Sequence, residues 1–190
     1  MIEALSARDP AEPAVRLWDH LFGDLRGYLV TFTGRQSDRP DARSNELDDT
    51  EQRSWAYPDH RHDAAEYLIE EAQVGRDAYF GVHLFRGPGN RRKENAAQIL
   101  ALWVDGDGAA VPEDWPQPTA VVESSPGRHH YYWRLTGAID SKHAAQLNRR
   151  LTYGIGGDKG KWGLGTVLRV PGTVNYKRPQ PTLVSGGVHE

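Results

Sequence analysis

The run Ile99-Leu100-Ala101-Leu102-Trp103-Val104-Asp105-Gly106-Asp107-Gly108 constrains this chain more than any other stretch. An apolar segment this short, rich in branched and aromatic residues and closed by Asp-Gly pairs, predicts a buried strand rather than a helix. Side chains alternate along a strand, so Asp105 and Asp107 are expected on the same side at its end. Two carboxylates a few ångströms apart repel each other unless a cation lies between them. Hard divalent cations take one or two carboxylates together with substrate phosphates. Gly106 and Gly108 are expected to leave room for a bulky ligand. The pattern therefore points to metal-assisted phosphoryl or nucleotidyl transfer. A plain Asp-Gly turn is the alternative that the same residues allow. A calcium loop fails, because the fifth position from Asp105 is Ala109 and the twelfth is Pro116, where an oxygen ligand and a Glu are required.

The 190 residues suffice for one domain with room for two lobes, and the resemblance drawn below implies a division near residue 97, into an N-terminal lobe (1–97) and a catalytic lobe (98–190). Hydrophobic residues make up 38%, with six Trp and eight Tyr, enough for a real core. No segment approaches the roughly 18 apolar residues of a membrane span, and the N-terminus lacks a signal-peptide pattern. The absence of cysteine excludes disulfides and Cys-ligated zinc or iron–sulfur sites. These features suit a cytoplasmic protein with no membrane partner. A net charge of −3 argues against a general polyanion binder. Basic residues nonetheless cluster at Arg91-Arg92-Lys93, at Arg149-Arg150, at Lys159 and Lys161, and from Arg169 to Arg178. A local basic groove is compatible with an acidic chain.

Along the chain, Pro13 opens a helix carrying Ala14, Leu17, Trp18, Leu21 and Phe22 at helical spacing, ended by Gly23. A strand is expected from Tyr28 to Thr33, and a long acidic surface loop from Gly34 to Ser54. A helix follows from Asp63 to Gln73 and a strand from Tyr79 to Phe85. Thr119–Glu123 and His130–Leu135 read as a hairpin around Ser125-Pro126-Gly127-Arg128, since Pro-Gly fits the centre of a type II turn. Asp140 or Ser141 caps a helix with Ala144, Leu147 and Leu151 inward. Strands at Thr166–Val170 and Pro181–Val184 precede Gly186-Gly187-Val188-His189-Glu190, which reads as a linker. Strands interleaved with helices imply an α/β (α+β) fold.

Three later segments add chemistry. Glu123 to Trp133 offers the hydroxyls of Ser124 and Ser125, a glycine turn, Arg128 and His130, a set able to cradle phosphate oxygens. Gly156-Gly157-Asp158-Lys159 brings another carboxylate. Leu168-Arg169-Val170-Pro171-Gly172-Thr173-Val174-Asn175-Tyr176-Lys177 brings two cations and an amide. Asn175 could equally bond its own backbone in a Pro-Gly turn.

In this order the segments resemble the primase-polymerases of the archaeo-eukaryotic primase superfamily, and within it the RepB-like branch of phage and plasmid replication proteins. The resemblance spans Asp77 to Lys177. It implies a mixed catalytic sheet resembling an RNA-recognition fold, with packed helices and a smaller N-terminal α/β lobe. It also implies that Asp105, Asp107 and Asp158 hold two Mg²⁺ or Mn²⁺ ions, with Asp140 the weaker match for the third acid. His130, rather than His129, takes the position that contacts the incoming nucleotide, and Ser124 and Ser125 take that of the phosphate-contacting serine. Arg169, Asn175 and Lys177 match the late signature. The implied activity is template-directed synthesis or extension of primers from dNTPs or NTPs on single-stranded or primed DNA. Arg91, Arg92, Lys93, Lys159 and Lys161 would track the template phosphates. Many such proteins carry a cysteine-ligated zinc element, which this chain cannot form. They often continue into a helicase, and no phosphate-binding Gly-x-x-x-x-Gly-Lys-Ser/Thr loop occurs here.

Two other classes compete. A rolling-circle or relaxase nuclease would need a metal-binding His pair and a tyrosine nucleophile; His60-Arg61-His62 has the spacing, while His129-His130 does not. A non-catalytic single-stranded DNA-binding module would use basic tips and aromatics, and acids in its groove would oppose it.

Overall fold

A computed structural model describes residues 9–43, 46–177 and 179–189. Helix α1 (Glu12–Phe22) has Pro13 in its first turn and buries Ala14, Val15, Leu17, Trp18, Leu21 and Phe22, the face its spacing predicts. It leads into strand β1 (Gly27–Gln36), which pairs antiparallel with β2 (Leu47–Tyr57) and with β3 (Asp77–Gly81). Helix α2 (Arg61–Gln73) packs on all three strands. The long loop expected over 34–54 is thus a hairpin whose second strand begins at Leu47. Polar residues hid it, because Tyr57 is the only buried residue of β2. This edge strand is held by backbone pairing and by contacts such as Trp55 Nε1 donating to Thr31 Oγ1 at 2.9 Å.

The predicted apolar run forms β4 (Ile99–Asp105), paired with β6 (Arg128–Ile139), which also pairs with β5 (Ala120–Ser125). Helix α3 (Ser141–Ile155) packs against β4. Asp140 is its N-cap, accepting from the His143 N–H at 2.9 Å, and this role removes it as a rival metal ligand. Inside α3, Asn148 is fully buried, and its Oδ1 accepts from the Trp103 N–H at 3.0 Å. Leu147 and Leu151, expected inward, are only partly buried against the core.

After α3 the chain returns to the first sheet. Strand β7 (Val167–Arg169) pairs with β3, giving the order β2-β1-β3-β7. A small ladder joins β8 (Val174–Asn175) to β9 (Thr182–Leu183), and β10 (Ser185–Val188) pairs with β5, giving the order β10-β5-β6-β4. The expected terminal linker is therefore a strand through Val188; its glycines carry no strand signal of their own. The α+β class holds, but every pairing among the described strands is antiparallel rather than mixed. The two-residue turn between β5 and β6 permits no other pairing of those two strands. The core runs continuously between the sheets, with Phe80 of β3 facing Tyr132 of β6 at a centroid distance of 6.5 Å.

Candidate active site

Both sheets contribute to a cavity of about 370 Å³, within the size range of small-molecule sites. Its lining includes Asp105, Asp107, Ser124, Ser125, Arg128, His130, Asp158, Lys161, Arg169, Asn175 and Lys177. Every residue expected to bind metal or nucleotide therefore meets there, although they come from five separate segments.

Asp105 ends β4, directly opposite His130 in the ladder. The Asp158 N–H donates to the Asp105 carbonyl at 2.8 Å, so backbone contact sets these two residues side by side. Gly157 makes this possible, since a Cβ there would lie 2.5 Å from the Asp105 carbonyl oxygen. The loop that follows is pinned where Trp103 Nε1 donates to the Lys161 carbonyl and where a His83 ring nitrogen meets the Leu164 carbonyl. Burial first, and the Asp158 carboxylate second, push the Asp105 carboxyl up to about 6, while Lys161, Lys177 and Arg128 pull it back.

Asp107 reaches the cavity by a different route from the one expected. The strand stops at Asp105, and Asp107 sits in the following turn with a left-handed backbone (φ 43°). The expected turn is therefore present, and Asp107 is the residue that forms it. Its carboxylate is ion-paired with Arg128, the first residue of β6. Gly106 serves packing rather than ligand access, because a Cβ there would lie 2.6 Å from the Tyr131 ring.

His130 is buried, and its pKa is lowered to about 3 by desolvation and then by Arg169, Lys161 and His129. It is consequently neutral at physiological pH, and its Nδ1 is buried without a hydrogen-bond partner. His129 instead stacks on Tyr131 at 5.9 Å, outside the cavity lining. Asn175 takes the backbone role: its amide donates to the Ser124 carbonyl at 2.7 Å, and its Oδ1 accepts from the Lys177 N–H at 3.0 Å. Ser124 Oγ donates to the Arg128 carbonyl at 3.2 Å, tightening the same turn.

The basic residues expected on DNA divide. Arg92, Lys93 and Lys159 are exposed and away from the cavity lining, whereas Lys161 lies in it. Arg91 is committed to the fold, donating to Gln52 Oε1 at 2.8 Å and to the Gly165 carbonyl at 2.7 Å. His60, Arg61 and His62 sit at the start of α2, where His60 pairs with Asp63 and Arg61 with Asp19, far from forming a catalytic His pair in the cavity.

Sequence reasoning missed the wall supplied by the first sheet: Phe32, Gln36, Leu47 and Tyr79. It also missed Asp77, a fully buried carboxylate beneath that wall, ion-paired with Arg169. The signal for Asp77 was its placement just before an apolar strand, where a lone buried acid requires a cationic partner.

Among the described residues, no three His, Asp or Glu side chains are already gathered around one metal point, since Asp107 is turned onto Arg128. The donor chemistry still fits a hard cation. The donors that could hold one are carboxylate oxygens only, and Asp105 carries a repulsion that a divalent ion would relieve.

A family model described as the RepB DNA-primase N-terminal domain matches residues 89–183. Among solved structures, the fold is similar to that of primase RepB′, with a TM-score of 0.66, 15% identity and 96% of this chain covered. This chain spans 56% of that structure's length. The catalytic domain of primase RepB′ in complex with initiator DNA is similar with a TM-score of 0.60 and 16% identity, covering 92% of this chain and 83% of that one. The primase-polymerase domain of cyanophage S-2L is similar with a TM-score of 0.56 and 14% identity, covering 83% and 79%. At these identities the structural likenesses speak for fold alone. No curated protein matches the chain.

Proposed function

This chain belongs to the RepB DNA-primase N-terminal domain family, and we propose from that premise that it is a DNA-directed nucleotidyltransferase, a primase-polymerase that makes or extends primers in replication. The observation that carries the reading is the meeting of Asp105, Asp107 and Asp158 with His130, Arg169, Lys161 and Lys177 in one cavity.

In the proposed reaction, a primer 3′-oxygen bonds to the α-phosphorus of a nucleoside triphosphate while the bond to pyrophosphate breaks. The 3′-hydroxyl proton leaves to water. Asp105, Asp107 and Asp158 would hold Mg²⁺ or Mn²⁺ ions, which when bound acidify the 3′-hydroxyl and neutralise the leaving pyrophosphate. The protein's own residues chiefly position and neutralise. Arg169, Lys161 and Lys177 supply positive charge along the triphosphate. Neutral His130 offers a hydrogen bond without adding charge. Arg128 pairs with Asp107, and it would be free to meet the phosphates were that aspartate to hold a cation instead. Phe32, Leu47 and Tyr79 form the less polar wall suited to the nucleoside. The template strand, single-stranded or primed DNA, runs over the exposed Arg92, Lys93 and Lys159. A helicase, if it accompanies this domain, lies outside these residues.

The deciding experiment offers a primed DNA template with labelled dNTPs or NTPs and Mg²⁺ or Mn²⁺ in parallel. Primer extension with pyrophosphate release is the expected result. Strand nicking with a covalent tyrosyl adduct would overturn the reading in favour of a nuclease. Metal-independent DNA binding without turnover would overturn it in favour of a binding module.

A further inference from the structure

Asp77 begins β3 and is wholly buried, yet its two oxygens reach three separate walls of the cavity. One oxygen accepts from Arg169 Nη1 and from the Tyr176 N–H, the latter at 2.9 Å. The other accepts from Gln36 Nε2. Arg169 belongs to β7, Gln36 to β1, and Tyr176 lies between Asn175 and Lys177; Gln36, Arg169, Asn175 and Lys177 all line the cavity. Asp77 itself is not in that lining.

Continuity extends across to the other sheet. From Tyr176 the chain steps back to Asn175, whose amide holds the Ser124 carbonyl of β5 at 2.7 Å, beside the turn that carries Arg128. The guanidinium of Arg169 has Asp77 at one edge and the Tyr79 ring under its face, with its carbon 4.8 Å from the ring centroid. A guanidinium carries five N–H donors in a rigid fork, so one edge can be anchored while others remain for a ligand.

A buried ion pair is an expensive way to stabilise a fold, since apolar residues of similar volume often do as well or better. Its advantage is geometric. A preset donor array binds an anion without paying for side-chain ordering at the moment of binding. We propose that Asp77 is a positioning residue, aiming the Arg169 fork and the Asn175–Lys177 backbone into the cavity as a ready-made seat for the triphosphate. The inference rests on the reading that the cavity takes a nucleoside triphosphate.

Asp77→Asn tests it, because the amide keeps an acceptor for Tyr176 and Arg169, and Gln36 can turn its own carbonyl toward the new N–H. Calorimetry measures the affinity of a non-hydrolysable nucleoside triphosphate with Mg²⁺ for the unaltered protein, Asp77→Asn, Arg169→Lys and the double variant. Single-stranded DNA affinity and far-UV circular dichroism run alongside. The expected result is about tenfold weaker triphosphate binding in each single variant, the scale typical of losing a residue that orients a ligand-binding group. The double variant should be no worse than Arg169→Lys alone. In Asp77→Asn, KM for the triphosphate should rise more than kcat falls, and DNA affinity should stay constant.

Unchanged triphosphate affinity in Asp77→Asn overturns the proposal. So does a double variant in which the two losses simply add, because Asp77 would then not act through Arg169. Should Asp77→Asn fail to fold, Arg169→Lys decides alone: wild-type affinity there leaves nothing for Asp77 to aim. No binding by the unaltered protein would instead sink the nucleotide reading, a result separable from all of these.

Discussion

Two carboxylates stand at one cavity, Asp77 wholly buried beneath it and Asp105 half-buried in its lining, one starting a strand of the first sheet and the other ending a strand of the second. Asp77 is surrounded by donors: a guanidinium, a backbone N–H and an amide. Asp105 faces another carboxylate, and the cations near it only partly offset burial and repulsion. One charge is balanced by the fold and the other is left for something to come and balance. The contrast separates a residue that shapes a site from a residue that uses it.

The largest expected effect breaks the contrast at its functional end. Asp105→Asn should reduce nucleotide incorporation at least about a thousandfold, on the order of 4 kcal/mol of transition-state stabilisation. The same variant should melt a few degrees higher at pH 7. The folded carboxyl sits near 6 against an ordinary value of 3.8, so the fold disfavours its charged form. That penalty is complete above pH 6 and vanishes as pH falls toward 3.8, so the melting advantage of Asp105→Asn should shrink over the same window. Parallel thermal melts at pH 7.5 and pH 4.5 check this.

Asp77→Ala should do the opposite. It strands the Arg169 guanidinium in the interior, a loss of about 3–5 kcal/mol, read as a lower urea midpoint. A wild-type midpoint would show that the pair contributes nothing to the fold.

Next in size is proton competition. Divalent-ion affinity, measured by titration without nucleotide, should be level above pH 6 and fall by up to about tenfold per pH unit below it, because the cation requires the ionised Asp105. A flat profile from pH 7 to pH 5 would remove Asp105 from the ligand set. The smallest effects belong to the exposed cations. Lys93→Ala or Lys159→Ala should each weaken single-stranded DNA binding by about two- to threefold at low salt and lower the salt slope by about 0.7, as expected for one phosphate contact.

Sequence alone revealed the second sheet better than the first, for physical reasons. The β4 run and the β5–β6 hairpin bury apolar side chains around a Pro-Gly turn, so period and punctuation agree. The three aspartates, His130 and Arg169 were legible because their residue types and order carry chemistry. Strand β2 was not, since an edge strand with one buried residue has no apolar period to detect. Strand β10 was hidden by Gly186 and Gly187. Strand alternation predicts Asp107 on the same side as Asp105, yet the strand ends at Asp105 and a left-handed turn places Asp107. Phe32 and Tyr79 look like ordinary core residues in sequence and Leu47 falls in the expected loop; only the pairing of β2 with β1, β1 with β3 and β3 with β7 brings them beside the segments that carry the aspartates.

The hydrogen bond from the Asp158 amide to the Asp105 carbonyl has a practical consequence for engineering. Because main-chain atoms, and not the acids themselves, set the spacing of these two positions, their side chains are interchangeable parts on a common mount. On the proposed metal reading, histidine or glutamate installed at either place would inherit the same register and would retune the cation preference without rebuilding the scaffold.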